Sequence, residues 1–231
     1  GDVATEGDQI STERMTKMLR QVRDNDDVKA VILRINSPGG SALASEEIWK
    51  EVALTAAKKT LYVSMGDYAA SGGYYIAMPA LQIYANPMTI TGSIGVFGVV
   101  PYAGDFFKNK LGVTTDEART HRYGTLSLTQ RLNAEELNFM QLEVDAIYNQ
   151  FLKRVSEGRK LTKKRVQQVA RGRVWTGKNA QRCGLVDELG GLNATVRELQ
   201  KQVGVKDVVY YPQQEDDAFS NFLALLDEEL D

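Results

Sequence analysis

The spacing of apolar residues switches repeatedly between two periods along the first half of the chain, and each switch marks an element. Met15, Met18, Leu19 and Val22 recur at i, i+3, i+4 and i+7, so residues 11–25 read as an amphipathic helix capped by Ser11 or Thr12. The β-branched run Val31-Ile32-Leu33-Arg34-Ile35 places a buried strand over residues 28–35. Ile48, Val52 and Ala56 then share one face of a helix over 43–57. Residues 61–65 form the next apolar run, followed by a short helix that ends before Pro79. Residues 81–85 and 94–100 read as further strands. Helical and strand periods in alternation predict parallel β-α-β units and an α/β fold.

After Asn133 the pattern is mostly helical. Leu137, Met140, Leu142, Val144, Ile147, Phe151 and Val155 give a long helix with an apolar face. Shorter helices are predicted over 162–170, 177–182 and 192–203, and a late strand over 208–211. Phe219, Phe222, Leu223, Leu225 and Leu226 are flanked by acidic residues, which predicts an amphipathic tail docked on protein rather than on anionic lipid. The chain thus divides into a polar loop over 1–10, one domain over 11–211 and an acidic tail over 212–231.

Composition narrows the chemistry. The 231 residues, 43% of them hydrophobic, suffice for one sizeable core. A net charge of −2 gives no reason to expect nucleic acid as a partner. Cys183 is the single cysteine and His121 the single histidine, so no intramolecular disulfide forms and no metal or organic cofactor is expected. No signal peptide and no apolar run of bilayer-spanning length is present.

Two glycine-containing turns carry the candidate chemistry. In Ala69-Ala70-Ser71-Gly72-Gly73 a serine follows an apolar run and stands among small residues that leave its hydroxyl open. This is close to the G-x-S-x-G elbow, with Ala69 in place of the first glycine, and it sets the Gly72 N–H beside any carbonyl that Ser71 attacks. In Asn36-Ser37-Pro38-Gly39-Gly40 a strand runs into a turn whose two glycines admit a close ligand and present N–H groups ahead of a helix. Two such loops, each leaving a strand and opening a helix, predict one shared site at the carboxyl ends of a sheet.

These two blocks, with Thr91-Gly92-Ser93-Ile94-Gly95-Val96 and with Val174-Trp175-Thr176-Gly177 followed by Gly184-Leu185-Val186-Asp187, resemble the signal peptide peptidase A family, also called protease IV. That family belongs to the Clp protease/crotonase superfamily. The resemblance runs in order from about residue 27 to about residue 203. It implies a Clp/crotonase-like fold, mostly parallel, with a helical C-terminal part. It also implies a serine endopeptidase with Ser71 as nucleophile, an oxyanion hole from Gly39, Gly40 and Gly72, and substrate contacts at Ser37, Pro38, Ala70, Gly73 and Ser93. The implied substrates are cleaved signal peptides and other unfolded apolar peptides. The implied setting is a homo-oligomer at the bacterial inner membrane, with the catalytic part outside the cytoplasm.

The base is where the chain departs from the family pattern. The family pairs its serine with a desolvated lysine. Where single-length members carry that lysine, after a tyrosine, this chain has Tyr123-Gly124. Lys108 and Lys110 read as a solvated helix face, and His121 as an exposed loop residue between Thr120 and Arg122. Double-length members hold the lysine in the first half and the serine in the second. The chain therefore resembles a second half, with its base and one β-strand upstream of residue 1. Other readings are a crotonase-like acyl-CoA enzyme, a non-catalytic scaffold half, and a relative acting on membrane-protein tails.

Overall fold

The computed structural model describes residues 2–4, 10–116, 118, 120 and 127–211. In chain order the elements are β1 (Val3–Ala4), β2 (Ile10–Ser11), α1 (Thr12–Asp24), β3 (Ala30–Ser37), α2 (Ala42–Lys58), β4 (Thr60–Ala70), α3 (Gly72–Tyr75), β5 (Gln82–Ala85) and β6 (Ile90–Gly92). The second half adds α4 (Gly104–Leu111), α5 (Ala134–Gly158), α6 (Lys163–Val169), β7 (Val174–Thr176), α7 (Gly177–Cys183), β8 (Glu188–Leu189) and α8 (Leu192–Val203).

The sheet is organised by β4, whose 11 residues are long enough to serve three neighbours. Along one edge it pairs with β3, and along the other with β5 near its start and β6 near its end, all parallel. β8 extends the sheet beyond β5, and β7 closes on β6 as the antiparallel pair. Between the two halves of β4 the register with β3 slips: Ile35 faces Met65, yet Ser37 faces Ala69. Three residues of β4 therefore stand opposite Asn36 alone, and the Asn36 carboxamide oxygen accepts the Tyr68 N–H at 3.1 Å. A bulge of this kind turns a strand and re-aims its far end. The far end of β4 leads directly into Ser71.

The main core lies where α2, α3 and the end of α5 meet β3 and β4, with Ile48, Val52, Met65, Tyr74, Phe151 and Val155 all buried. A smaller cluster of Tyr62, Tyr84 and Leu199 seats α8 against the sheet. Helix caps follow their sequence signals. Ser11, Ser41, Thr162 and Thr176 each accept a backbone N–H in the next turn, and Asn133 forms a capping box with Glu136.

Three expectations need correction. The strand at this part of the chain is Ile90–Gly92, not 94–100. From Ser93 the backbone leaves the extended region at φ 49°, and Phe97, Val99 and Val100 face solvent with no neighbouring strand. Residues 208–211 form no strand either, and Val208, Val209 and Tyr210 are exposed. Val174–Thr176, three residues without an alternating pattern, is a strand because β6 supplies its partner. Within the stretch expected as a loop, Val3–Ala4 pairs in parallel with Ile10–Ser11, and buried Val3 bridges to Gly40. The expected tail over 212–231 lies outside the described residues. The long helix over 134–158 is as expected, but only its last turns are core: Leu137, Phe139, Leu142 and Ile147 are exposed.

One buried ion cluster joins α1 to α2. Glu51 is buried and accepts Arg20 Nε at 3.1 Å, Arg20 Nη2 at 2.8 Å and Arg23 Nη1 at 2.6 Å. The Arg20 bonds, helped by Arg23, hold its carboxyl below the usual glutamate range against the opposing effect of burial. A depressed carboxyl stabilises the fold above its unfolded value, about 4.3, and loses that contribution as pH falls through the folded value. Glu51→Gln should therefore lower stability at pH 7 by about 1–2 kcal/mol. In urea titrations the gap from wild type should narrow as the pH falls below the unfolded value and through the lower folded one.

Candidate active site

Ser71 occupies the single step between β4 and α3, at φ 50° and ψ −119°. A non-glycine residue at positive φ is held there by its surroundings rather than by its own preference. Both neighbours on the path are fixed. The Ser71 N–H donates to the Gly92 carbonyl at the end of β6 (2.9 Å), and its carbonyl accepts the Tyr75 N–H (2.9 Å). Two residues earlier on the strand, the Thr91 hydroxyl donates to the Ala69 carbonyl at 2.7 Å. The turn is thus pinned to the sheet behind it and to the helix ahead, and the Ser71 side chain is left half-exposed.

The turn after β3 comes directly against this elbow. A Cβ on Gly39 would lie 2.7 Å from Ser71 Cβ and 3.0 Å from the Gly72 nitrogen. Gly39 also sits at φ 123°, where an L-residue is strained. On the opposite side, a Cβ on Gly72 would collide with the Ser45 hydroxyl of α2 and lie 3.4 Å from the Gly40 nitrogen. The two segments can approach this closely because Gly39 and Gly72 carry no side chain at the contact.

Ser37, expected to touch substrate, instead supports the turn from within. It is fully buried, and its hydroxyl accepts the Gly39 N–H at 3.2 Å. The Gly39 N–H is thereby occupied. The Gly40 N–H donates to no group among the described residues, because the bridge to β1 uses Val3 N–H with Gly39 O and Ser41 N–H with Val3 O. Gly72 is the first residue of α3, so its N–H has no intrahelical partner. Gly40 and Gly72 therefore each carry an N–H without an acceptor among the described residues, on the two segments that meet at Ser71.

The remaining expected residues spread around this centre. Ala70 is buried beneath the elbow, Gly73 packs its α-carbon toward the Ser37 carbonyl, and Pro38 is exposed at the lip of the turn. Ser93 is half-buried at the end of β6, at φ 49°, with its N–H given to the Arg173 carbonyl at 2.9 Å. Ser71 and Ser93 thus each follow one of two adjacent parallel strands, and both stand at positive φ. Ser64 lies a bulge away in the middle of β4, where Arg34 Nη1 donates to its hydroxyl at 2.8 Å.

Among the described residues no side chain is hydrogen-bonded to the Ser71 hydroxyl. Lys108 and Lys110 lie exposed on α4, as expected. His121 and Gly124 lie outside the described residues. Three contributors have roles that the sequence does not show: Asn36, which fills the β4 bulge; Ser45, which abuts Gly72; and Gly92, whose carbonyl holds the Ser71 N–H. Asn36 and Gly92 stand in the recognised blocks, but each of the three acts across the fold on a residue distant in sequence, and no local pattern marks that action.

Comparison with known proteins identifies the family and the fold. The family described as "Peptidase family S49" matches residues 53–206, which include the elbow. "Protease 4" of Salmonella typhi is 40% identical over 198 residues, covering 85% of this chain but 32% of that protein. "Putative signal peptide peptidase SppA" of Enterococcus faecium is 34% identical over 87% of this chain and 58% of its own length. The chain thus spans about a third of the first relative and under two thirds of the second. A mutant ClpP1 of Listeria monocytogenes superposes with a TM-score of 0.58, covering 84% of this chain and 90% of that one. At 16% identity that likeness concerns the fold.

The contact between the two turns makes a direct prediction. Gly39→Ala places a Cβ against Ser71 in a backbone region that alanine disfavours, and should cost about 1–3 kcal/mol in stability. Chemical denaturation of the variant beside Pro38→Ala, which changes an exposed neighbour, checks it.

Proposed function

Because the chain belongs to peptidase family S49, we propose that Ser71 is the nucleophile of a serine endopeptidase, with the Gly40 and Gly72 N–H groups as its oxyanion hole. The observation that carries this reading is the Ser71 elbow at positive φ, pressed against a glycine turn that offers a second open N–H. A carbonyl placed over the Ser71 hydroxyl would have both donors on its oxygen. Preorganised donors of this kind stabilise charge that appears only in the transition state.

The reaction is acyl transfer to water. Ser71 Oγ adds to the peptide carbonyl carbon while the base takes the hydroxyl proton. The C–N bond then breaks, and the base returns the proton to the leaving amine. Water next adds to the acyl-enzyme ester, giving its proton to the same base, and the C–O bond to Ser71 breaks as the base returns that proton to Ser71 Oγ, releasing the acid. Each tetrahedral intermediate places its negative oxygen between Gly40 and Gly72, and losing one donor would cost about 3 kcal/mol in barrier.

The base is a lysine supplied from outside this chain. The sequence supports that reading, since Gly124 stands where single-length relatives carry the residue. The elbow alone then supplies a nucleophile without its proton acceptor. Substrates are extended apolar peptides, signal peptides among them, as the name of the Enterococcus relative supports. Small residues around Ser71 leave room for an apolar side chain next to the scissile bond. Assembly into a homo-oligomer and association with a membrane belong to the same reading, the latter through segments other than the described helices, none of which is long and apolar enough to cross one.

A fluorophosphonate probe followed by peptide mapping tests the assignment. Labelling should occur at Ser71 in a longer form that includes the upstream segment and vanish in Ser71→Ala. The 231-residue chain alone should label at least about 100-fold more slowly. Rapid labelling of the chain alone would place the base within it. No labelling of either form, together with a thermal shift on adding acetoacetyl-CoA, would favour the acyl-CoA reading.

A further inference from the structure

The two N–H groups of the proposed oxyanion hole belong to different segments, and no backbone hydrogen bond joins them. Gly40 precedes α2, whereas Gly72 opens α3. Their spacing is therefore set by how α2 and α3 lie against each other. On one side the spacing has a steric stop: the Ser45 hydroxyl of α2 abuts the Gly72 α-carbon, and its own proton goes to the Ser41 carbonyl at 2.7 Å. A stop prevents approach but does not prevent separation.

The opposing restraint is one residue along α2. The Glu46 carboxylate accepts the Tyr75 hydroxyl, and Tyr75 lies one helical turn after Ser71, whose carbonyl its N–H binds. Arg154 of α5 holds the same carboxylate from the other side, with Nη2 on Oε1 and Nε 3.4 Å from Oε2. The Arg154 guanidinium is in turn stacked 3.4 Å from the centroid of the Trp49 ring. The Tyr75 ring packs on Phe151 of α5 at 4.8 Å between centroids. Glu46 is thus clamped at both oxygens, and through it α2, α3 and α5 are tied at one point. Burial, and then the Glu46 bond, push the Tyr75 hydroxyl far above the usual tyrosine range, so it stays a donor at any working pH.

Resting on the reading of Ser71 as nucleophile, we propose that Glu46 is a positioning residue for the oxyanion hole: clamped by Arg154, it holds Tyr75, and so fixes the distance between the Gly40 and Gly72 N–H groups. The Ser45 contact and the Glu46–Tyr75 bond act in opposite directions on one spacing, which is what a fixed geometry requires. Neither Glu46 nor Tyr75 touches the reacting atoms. Loosening their bond should leave the nucleophile and the peptide-binding surface in place while degrading the fit to the tetrahedral oxygen.

The test uses the protein in a form that includes the segment supplying the base. Fluorophosphonate labelling is followed in time, giving the fraction of sites labelled and the rate per site, because the phosphonyl oxygen occupies the oxyanion position. Tyr75→Phe and Glu46→Gln should label the same fraction of sites as wild type, at least about tenfold more slowly. With a peptide substrate the same variants should lose kcat at nearly constant KM. A wild-type rate per site in both variants, with or without a smaller labelled fraction, would overturn the proposal and leave the network a fold-stabilising role. Tyr75→Phe removes one oxygen from an otherwise unchanged core, so it decides the matter if Glu46→Gln fails to fold. Wild-type protein that is not labelled, or Ser71→Ala that is, would instead bring down the assignment of Ser71 itself.

Discussion

The structure depends on one close approach: the backbone of the turn after β3 lies against the backbone of the turn after β4. The missing side chains of Gly39 and Gly72 are what permit it, since a Cβ on Gly39 would stand 2.7 Å from that of Ser71. The approach is costly in local terms. It places Gly39 and Gly40 at positive φ and forces Ser71, a residue with a side chain, to the same side of the map. Nothing in the turns themselves favours this. It persists because the rest of the fold over-determines it, with Ser71 N–H on Gly92, Ser37 Oγ under Gly39 and β1 holding the far side of the Gly40 turn.

The sheet delivers the two turns to the same place. β3 and β4 run in parallel, so both end at the same edge, where a parallel sheet gathers the loops that precede its helices. Strict register would nonetheless leave the two chain ends side by side as ordinary strands. The bulge opposite Asn36 breaks that register by letting β4 gain residues on β3. Past the bulge, β4 exchanges β5 for β6 as its neighbour, and β6 supplies the Gly92 carbonyl that receives Ser71. The exposed side chains of Asp67 and Tyr68 mark where the strand turns out of the first half of the sheet.

Much of this is legible in the chain. The periods of Met15 to Val22 and of Ile48 to Ala56 give helices that the structure bounds to within a residue or two, because packing against the sheet and local propensity agree there. The two glycine turns are recognisable because their unusual backbone demands specific residue types, which leaves a trace in composition. What cannot be read is whatever depends on a partner far along the chain. Val174–Thr176 is a strand because β6 lies beside it, whereas the equally apolar stretch Phe97 to Val100 has no such neighbour and forms none. Ser37 has the residue type of a substrate contact, and only its burial beneath Gly39 shows that it serves the turn. The place of Ser64 is hidden for the same reason: its distance from the strand end is set by the bulge, which no local pattern announces.

The two tyrosines after the elbow show how a helix of only four residues can hold a strained step. α3 is too short for its own hydrogen bonds to resist the backbone preference of Ser71, so its position has to come from side chains. Consecutive residues on a helix point about 100° apart, so adjacent tyrosines reach different parts of the protein. Tyr74 is fully buried and donates to the Leu185 carbonyl at 2.7 Å, which anchors α3 to the loop between α7 and β8. Tyr75 reaches the Glu46–Arg154 pair between α2 and α5. Anchored in two directions, the helix can neither roll nor slide, and the elbow at its start inherits that rigidity. Burial raises the Tyr74 hydroxyl as well, so both anchors remain protonated donors. A loop of glycines is ordinarily the most mobile part of a chain. Here it is bounded by a bulged strand behind and a doubly anchored helix ahead, which reconciles the small residues around Ser71 with a fixed backbone geometry there.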